Sequence, residues 1–474
     1  MAQRREFLKA IGALAAAPVM AHAPRAFAQG RPVHAATLTA GPGRQQIVPS
    51  EYPATDIWAF NGTAPGPELR FRQGERVRIV VRNSLPQDTT VHWHGVRVPN
   101  AMDGVPHVTQ PPIAPGGEFV YEFDLPDAGT FWYHPHEKSH EQVGRGLYGA
   151  FVVAERDPPP VDRDVTWVLS DFRLTPQAAQ TAGWDSMFDM SHDGRVGNTV
   201  AVNGKFTARD GAFEVTRGER VRLRLVNAAV ARIFALRFRD HAPVVIANDG
   251  QPVTPHPPEN GLIVLGPGMR ADLILDCRGE RGKRYEVADE FYPRSRERLL
   301  WLAYRDAPAI ESESRDAPVA LKPNPLAEPD VARATRHEIL FEGGAMSPRM
   351  MGRGMAGMGA GGHPMLWFIN DRAVPDDHRA HEPMLDLKLG GHYVFAMRND
   401  TAWYHPIHLH GLAFRIVARN GQPTRWREWA DTALMAPRER VDIAFVADAP
   451  GTWMFHCHVL AHQHAGMMTT IRVA

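Results

Sequence analysis

The 474-residue sequence predicts an all-β fold of sandwiches or barrels, and three observations carry that expectation. Short alternating apolar and polar runs recur along the chain, as strands with one buried face require. Punctuation by 41 Gly and 40 Pro leaves no room for helical bundles. One strand pattern also occurs three times, as RQGERVRIVVRN (72–83), TRGERVRLRLVN (216–227) and LGGHYVFAMRN (389–399). Each copy is a Gly-marked turn, an alternating β-branched run and a terminal Asn, so the chain reads as three copies of one β domain.

Taken in order, the N-terminus MAQRREFLKAIGALAAAPVMAHAPRAFAQG has a basic start, a short apolar run and Ala-Phe-Ala ending at Ala28, the marks of an export signal over residues 1–28. Its Arg-Arg-Glu-Phe-Leu-Lys run resembles the bacterial twin-arginine signals, which implies the twin-arginine export machinery as a partner and the periplasm as destination. Proline-rich stretches ERDPPPVDRD (155–164) and RDAPAIESESRDAPVALKPNPLAEPD (305–330) mark linkers. They divide the mature chain into domains at 29–157, 158–320 and 321–474. No later segment approaches the roughly 18 apolar residues needed to span a bilayer. Lys plus Arg and Asp plus Glu both number 53, so no basic field exists to attract nucleic acid. A monomer is the expected state.

Four His-x-His pairs stand out: His92 and His94, His134 and His136, His408 and His410, His456 and His458. In a strand, residues two apart share a face, so each pair forms a two-toothed metal clamp. Cys457, between the last pair, points to the opposite face and can serve a second metal centre. Of the two cysteines, the other, Cys277, closes the apolar run ADLILDC and reads as a small core residue. Outside the pairs, the two C-terminal motifs offer His405, Cys457, His462 and Met467, which is the ligand set of a blue-copper electron-transfer site. The eight paired histidines divide as three, three and two. Because they come from the first and last repeats, those two domains must meet. The middle domain has only scattered histidines, His192, His241 and His256, while His107, His140 and His464 read as solvated or supporting residues rather than ligands.

These residues resemble the multicopper oxidases, the family of laccases and bacterial cuprous oxidases, whose four motifs stand here in family order as HWHG, HPH, HPIHLHG and HCHVLAHQHAGM. The resemblance covers essentially the whole mature chain and implies three cupredoxin-like Greek-key domains and four copper ions. It makes His405, Cys457, His462 and Met467 the type 1 ligands and His92 and His408 the type 2 ligands. His94, His134, His136, His410, His456 and His458 then hold the type 3 pair. The implied reaction couples one-electron oxidation of a reductant, Cu(I) or a phenolic compound, to reduction of dioxygen to water. An exposed edge of His462 or His405 would take up the electrons, and Cys457 would pass them on to His456 and His458. Asp103, nine residues after His94, matches the aspartate that the bacterial members keep beside the cluster as a proton source. Where those members have Glu after the last type 1 His, this chain has Gln463, which cannot donate a carboxyl proton.

The segment MSPRMMGRGMAGMGAGGHPM (346–365) sets Met346, Met350, Met351, Met355, Met358 and Met365 among six glycines. Thioethers suit Cu(I). Bacterial cuprous oxidases carry a Met-rich insert at about this place, so the resemblance implies cuprous-ion capture and a role in copper tolerance. A departure is that Thr401 and Trp403 stand where those enzymes have an acid and a Met. The alternatives are a laccase-like oxidase of organic substrates and a non-catalytic periplasmic copper-binding protein.

Overall fold

The computed structural model describes residues 32–294, 296–311, 319–347, 365–375 and 382–474. Residues 33–474 form one compact unit built almost wholly from strands. Among the described residues, six sheets fall into three pairs along the chain, each pair enclosing a core. The first pair has four strands in each sheet, the second six and five, the third seven and five. Alternation decides which side chains enter. In Arg76–Asn83, Val77, Ile79 and Val81 are fully buried and meet Trp93, Tyr133 and Phe151 of the opposing sheet. In Arg220–Asn227, Leu223 and Leu225 do the same against Phe234, Leu236 and Leu302. Cys277 lies in this second core, fully buried, and burial pushes its thiol up to about 12, which suits an inert core residue. The third core runs on into Trp132 of the first sheet pair and Val226 of the second, so it doubles as an inter-domain seam.

The threefold repeat is structural. Each repeat strand runs parallel to the first strand of its sheet pair: Val33 through Ala40 beside Arg76–Asn83, Arg163 through Leu169 beside Val221 through Asn227, Thr335 through Phe341 beside Tyr393 through Asn399. Gly74 and Gly218 open two of them with φ of +90° and +89°, a turn conformation that the sequence required of glycine. The terminal asparagines explain the rest of the pattern. Asn83, Asn227 and Asn399 each accept, on Oδ1, the backbone N–H two residues on, at 2.9, 3.0 and 3.1 Å. Each also donates Nδ2 to a distant carbonyl, of Ile113, Leu265 and Ala436, at 2.7, 2.8 and 2.8 Å. One side chain thus turns the chain and pins a remote segment, satisfying buried backbone groups that would otherwise cost free energy.

Three short α-helices occur among the described residues: α1 (Ser139–Arg145), α2 (Met187–Ser191) and α3 (Leu460–His464). No helix among them is long and apolar enough to cross a membrane. The expected export signal, and Met350, Met351, Met355 and Met358 of the Met-rich segment, lie outside the described residues.

Candidate metal centre

Two antiparallel ladders bring the His-x-His pairs together. His92 sits opposite His134 in one, and His408 opposite His456 in the other. The ladders face each other across the seam between the first and third sheet pairs. His92 stacks on His410 with ring centroids 3.9 Å apart, and His94 on His408 at 3.8 Å. His136 and His456 lie 5.2 Å apart, as do His134 and His458. All eight imidazoles are buried. Ligand atoms within 4.8 Å of one another come from His92, His94 and His134, from His92, His408 and His410, and from His136, His410 and His456.

Six of the eight rings, those of His92, His94, His134, His408, His410 and His456, are tethered on one side. His92 Nδ1 donates to the Asp103 carbonyl at 2.8 Å and His408 Nδ1 to the Asp431 carbonyl at 2.8 Å. His134 Nδ1 donates to the Pro135 carbonyl at 2.9 Å and His456 Nδ1 to the Cys457 carbonyl at 3.0 Å. The opposite nitrogens of His92, His134 and His408, together with Nδ1 of His94, are buried without a hydrogen-bond partner. Leaving so many acceptors bare in a dry pocket is costly unless something coordinates them. Burial also holds His94, His134, His410 and His458 well below the usual imidazole range, so they are neutral and able to coordinate. Tethered, neutral and convergent imidazoles fit copper. Gly268 closes the cluster from the second sheet pair, approaching so near that a Cβ there would lie 3.0 Å from the rings of His94 and His458.

A second donor set is built around Cys457, which ends the strand Gly451–Cys457. Its Sγ lies 3.4 Å from His405 Nδ1 and 3.7 Å from His462 Nδ1, and the two nitrogens are 3.1 Å apart. Met467 is fully buried, and its chain segment is pinned beside the cysteine because Cys457 N donates to the Met467 carbonyl at 3.0 Å. Burial raises the Cys457 thiol far above its usual value, so the thiolate needs a cation to exist here. This set also fits copper by its donors, two imidazoles and a sulfur.

One expectation needs correction. Neither His405 nor His462 offers an exposed edge, since both are fully buried. His405 Nε2 donates to Thr401 Oγ1 at 2.9 Å, and His462 Nε2 to the His192 carbonyl at 2.6 Å. The reason is the α2 loop of the second sheet pair, which lies over His462, while Trp367 covers both rings at 4.2 and 5.0 Å.

Asp103 lies beside the cluster. Its Oδ2 accepts from His410 Nδ1 at 2.9 Å, and its Oδ1 lies 3.2 Å from His92 Nδ1. Sequence reasoning missed a second acid. Asp431 Oδ1 accepts from His94 Nε2 at 3.1 Å, while Arg270 donates to both its oxygens at 2.8 and 2.6 Å. Arg270 also lies 3.4 Å from Asp249, whose Oδ2 accepts from the backbone of Asp431 and Thr432. The only sequence signal was an acid inside the apolar stretch WADTALM.

Multicopper oxidase domain models match residues 43–158, 163–298 and 359–474. The chain belongs to the multicopper oxidase family. It is 38% identical to a multicopper oxidase from Pseudomonas parafulva of known crystal structure, covering 93% of this chain and 100% of that one with a TM-score of 0.80. It is 35% identical to one from Pseudomonas thermotolerans, covering 94% and 100% with a TM-score of 0.82. Multicopper oxidase MmcO of Mycobacterium tuberculosis is 29% identical over 92% of this chain and 86% of that protein. Copper resistance protein A of Escherichia coli is 26% identical over 92% of each. As a multicopper oxidase it is an oxidoreductase that uses oxygen, and the family carries type 1, type 2 and type 3 copper sites with which these histidine clusters are compatible.

Proposed function

We propose that this multicopper oxidase is exported to the periplasm and oxidises Cu(I), with phenolic compounds as accessory reductants, in a role in copper tolerance. His405, Cys457, His462 and Met467 hold the type 1 copper. His92 and His408 hold the type 2 copper, and the type 3 pair divides between His136, His410, His456 and His94, His134, His458. Four bound coppers supply a store of four electrons, the number that reduction of dioxygen to two waters consumes. The three domains are assigned to 29–157, 158–320 and 321–474, in keeping with sheet pairs whose strands run from Val33 to Ala154, Arg163 to Tyr304 and Thr335 to Val473.

The chain's own groups set the conditions. Asp103 orients His92 and His410 and places a carboxyl oxygen for a proton 2.9 Å from His410 Nδ1. Asp431 orients His94 and His408. Gln463 is buried and carries no acid proton, so the acids at the cluster are Asp103 and Asp431, and of the two Asp431 is engaged by Arg270 on both oxygens.

The observation that carries the cuprous reading is where the Met-rich segment is anchored. Before it, the Ala345 carbonyl accepts from Trp403 Nε1 at 3.4 Å, and Ala345 N donates to the Ser191 carbonyl at 2.7 Å, next to His192. After it, Leu366 and Trp367 both donate to the Ala465 carbonyl, at 2.9 and 3.1 Å, three residues past His462. Both ends therefore sit beside the buried type 1 histidines, and relatives named copper resistance proteins favour a role in copper tolerance. Deleting 346–365 should depress Cu(I) oxidation while leaving oxidation of a bulky phenol unchanged or faster. Intact Cu(I) oxidation after the deletion would replace this reading with a laccase-like role on organic reductants.

A further inference from the structure

Two histidines that the sequence left as supporting residues come together outside the copper sites. His140 of α1 and His464 of α3 stack with ring centroids 3.9 Å apart and 28° between their planes. Their Nε2 atoms lie 3.2 and 3.4 Å from one and the same oxygen, Oδ1 of Asp185. Asp185 precedes Ser186, whose hydroxyl caps α2 by accepting from Asp189 N at 3.3 Å. Three separate stretches of chain thus deliver two imidazoles and a carboxylate to one point. The histidine side chains are nearly buried, at 7% and 11% exposure, whereas the carboxylate is 52% exposed and open to solvent.

The two nitrogen-to-oxygen spacings, 3.2 and 3.4 Å, are those between donors of one coordination shell. A tetrahedral ion holding nitrogen at about 2.0–2.1 Å and oxygen at about 2.0–2.2 Å sets its donor atoms roughly 3.3–3.5 Å apart. The type 1 donors of this chain, at 3.1, 3.4 and 3.7 Å, bracket the same value. The imidazoles of His140 and His464 beside it hold the Asp185 carboxyl well below the usual carboxylate range, so the site keeps a negative charge for a cation to meet. Two imidazoles select against calcium and magnesium, which take oxygen ligands. Among divalent transition ions such a set binds copper(II) most tightly.

We propose that His140, Asp185 and His464 form a further metal site, for a divalent transition ion with copper(II) preferred, separate from the resident coppers. None of the three belongs to the type 1, type 2 or type 3 ligand sets, and the proposal does not depend on Cu(I) being the reductant. An ion there would clip the loop before α2 to α1 and α3. That loop leads into His192, whose carbonyl covers His462, so occupancy also steadies the cover of the type 1 histidines.

The test uses the full chain with its resident coppers in place. Equilibrium dialysis against copper(II), and titration with cobalt(II) followed by its visible absorption, should each give one further bound equivalent. Asp185→Asn and His140→Gln should weaken that equivalent at least about ten-fold while the blue absorbance near about 600 nm stays unchanged. Absence of a further equivalent, or one bound equally well by both variants, overturns the proposal and leaves a carboxylate that merely accepts two hydrogen bonds. Should His140→Gln lose resident copper, Asp185→Asn decides alone, because its side chain is half exposed and outside every core.

Discussion

Arg270→Met tests how the second acid at the cluster is held. The guanidinium is fully buried and donates to both Asp431 oxygens, to the Gly268 carbonyl at 3.0 Å and to the Thr130 carbonyl at 3.2 Å. Without it, Asp431 and Asp249 are two buried carboxylates with no counter-charge, since Arg270 is what holds Asp431 below the usual range against burial. Removing one partner of such a buried pair costs about 3–5 kcal/mol. At about 2–4 °C per kcal/mol for a domain of this size, melting should drop by about 10 °C. One of the two carboxylates must then take up a proton, Asp249 first because burial and Asp431 already push it up to about 7, and the network that holds His94 and His408 loosens. Copper content should therefore fall below that of the unsubstituted protein. Arg281→Met is the control, because its pair with Asp306 is 49% and 83% exposed and should be worth under about 1 kcal/mol. Calorimetry and copper analysis of both variants decide. If Arg270→Met melts with the control and keeps its full copper, Arg270 does not hold Asp431 in place at the cluster.

Gln463→Glu restores an acid beside His462, and reoxidation by dioxygen should change little, because Asp103 already serves the cluster; a large acceleration in stopped-flow reoxidation would show that Asp103 is not a sufficient proton source. The copper-free protein should lose stability in acid. Burial lowers His94, His134, His405, His408, His410 and His458 and pulls His462 down to about 3. The folded state then binds fewer protons than the unfolded chain, whose histidines titrate near about 6.5. Their contribution is fully present above that pH and falls by about 1.4 kcal/mol per pH unit per histidine below it, until each folded value is reached. Melting temperatures of copper-free protein at about pH 7.5, 6.5 and 5.5 should decline in that order, and a flat or rising series contradicts the burial argument.

The parts of the fold and site that were legible in sequence rest on local chemistry. An Asn that both turns its own chain and pins a remote carbonyl leaves the same mark three times, so the repeats were visible. A His-x-His pair needs only the two-residue period of a strand to become a clamp, so the cluster was visible too. The supports were not. Arg270, Asp249 and Asp431 meet from three distant stretches, and each alone looks like an ordinary charged residue at a strand end. The cover over His462 is a backbone carbonyl of His192, and a carbonyl has no residue-type signature. His140 and His464 gain meaning only when Asp185, from another sheet pair, arrives between them.

We propose that Cys457, His405 and His462 form an electron-accepting copper site that feeds the eight-histidine cluster through the His456–Cys457–His458 backbone. Cys457→Ser tests it most directly, because a serine hydroxyl is a far poorer copper ligand than thiolate while the flanking histidines and their ladder to His408 are untouched. Copper content, the absorbance near about 600 nm and oxygen uptake would be measured on one preparation. The account predicts loss of one copper, disappearance of the blue band and near-complete loss of oxygen uptake with Cu(I) and with a phenol alike. Sustained oxygen uptake in the absence of the blue band would contradict it.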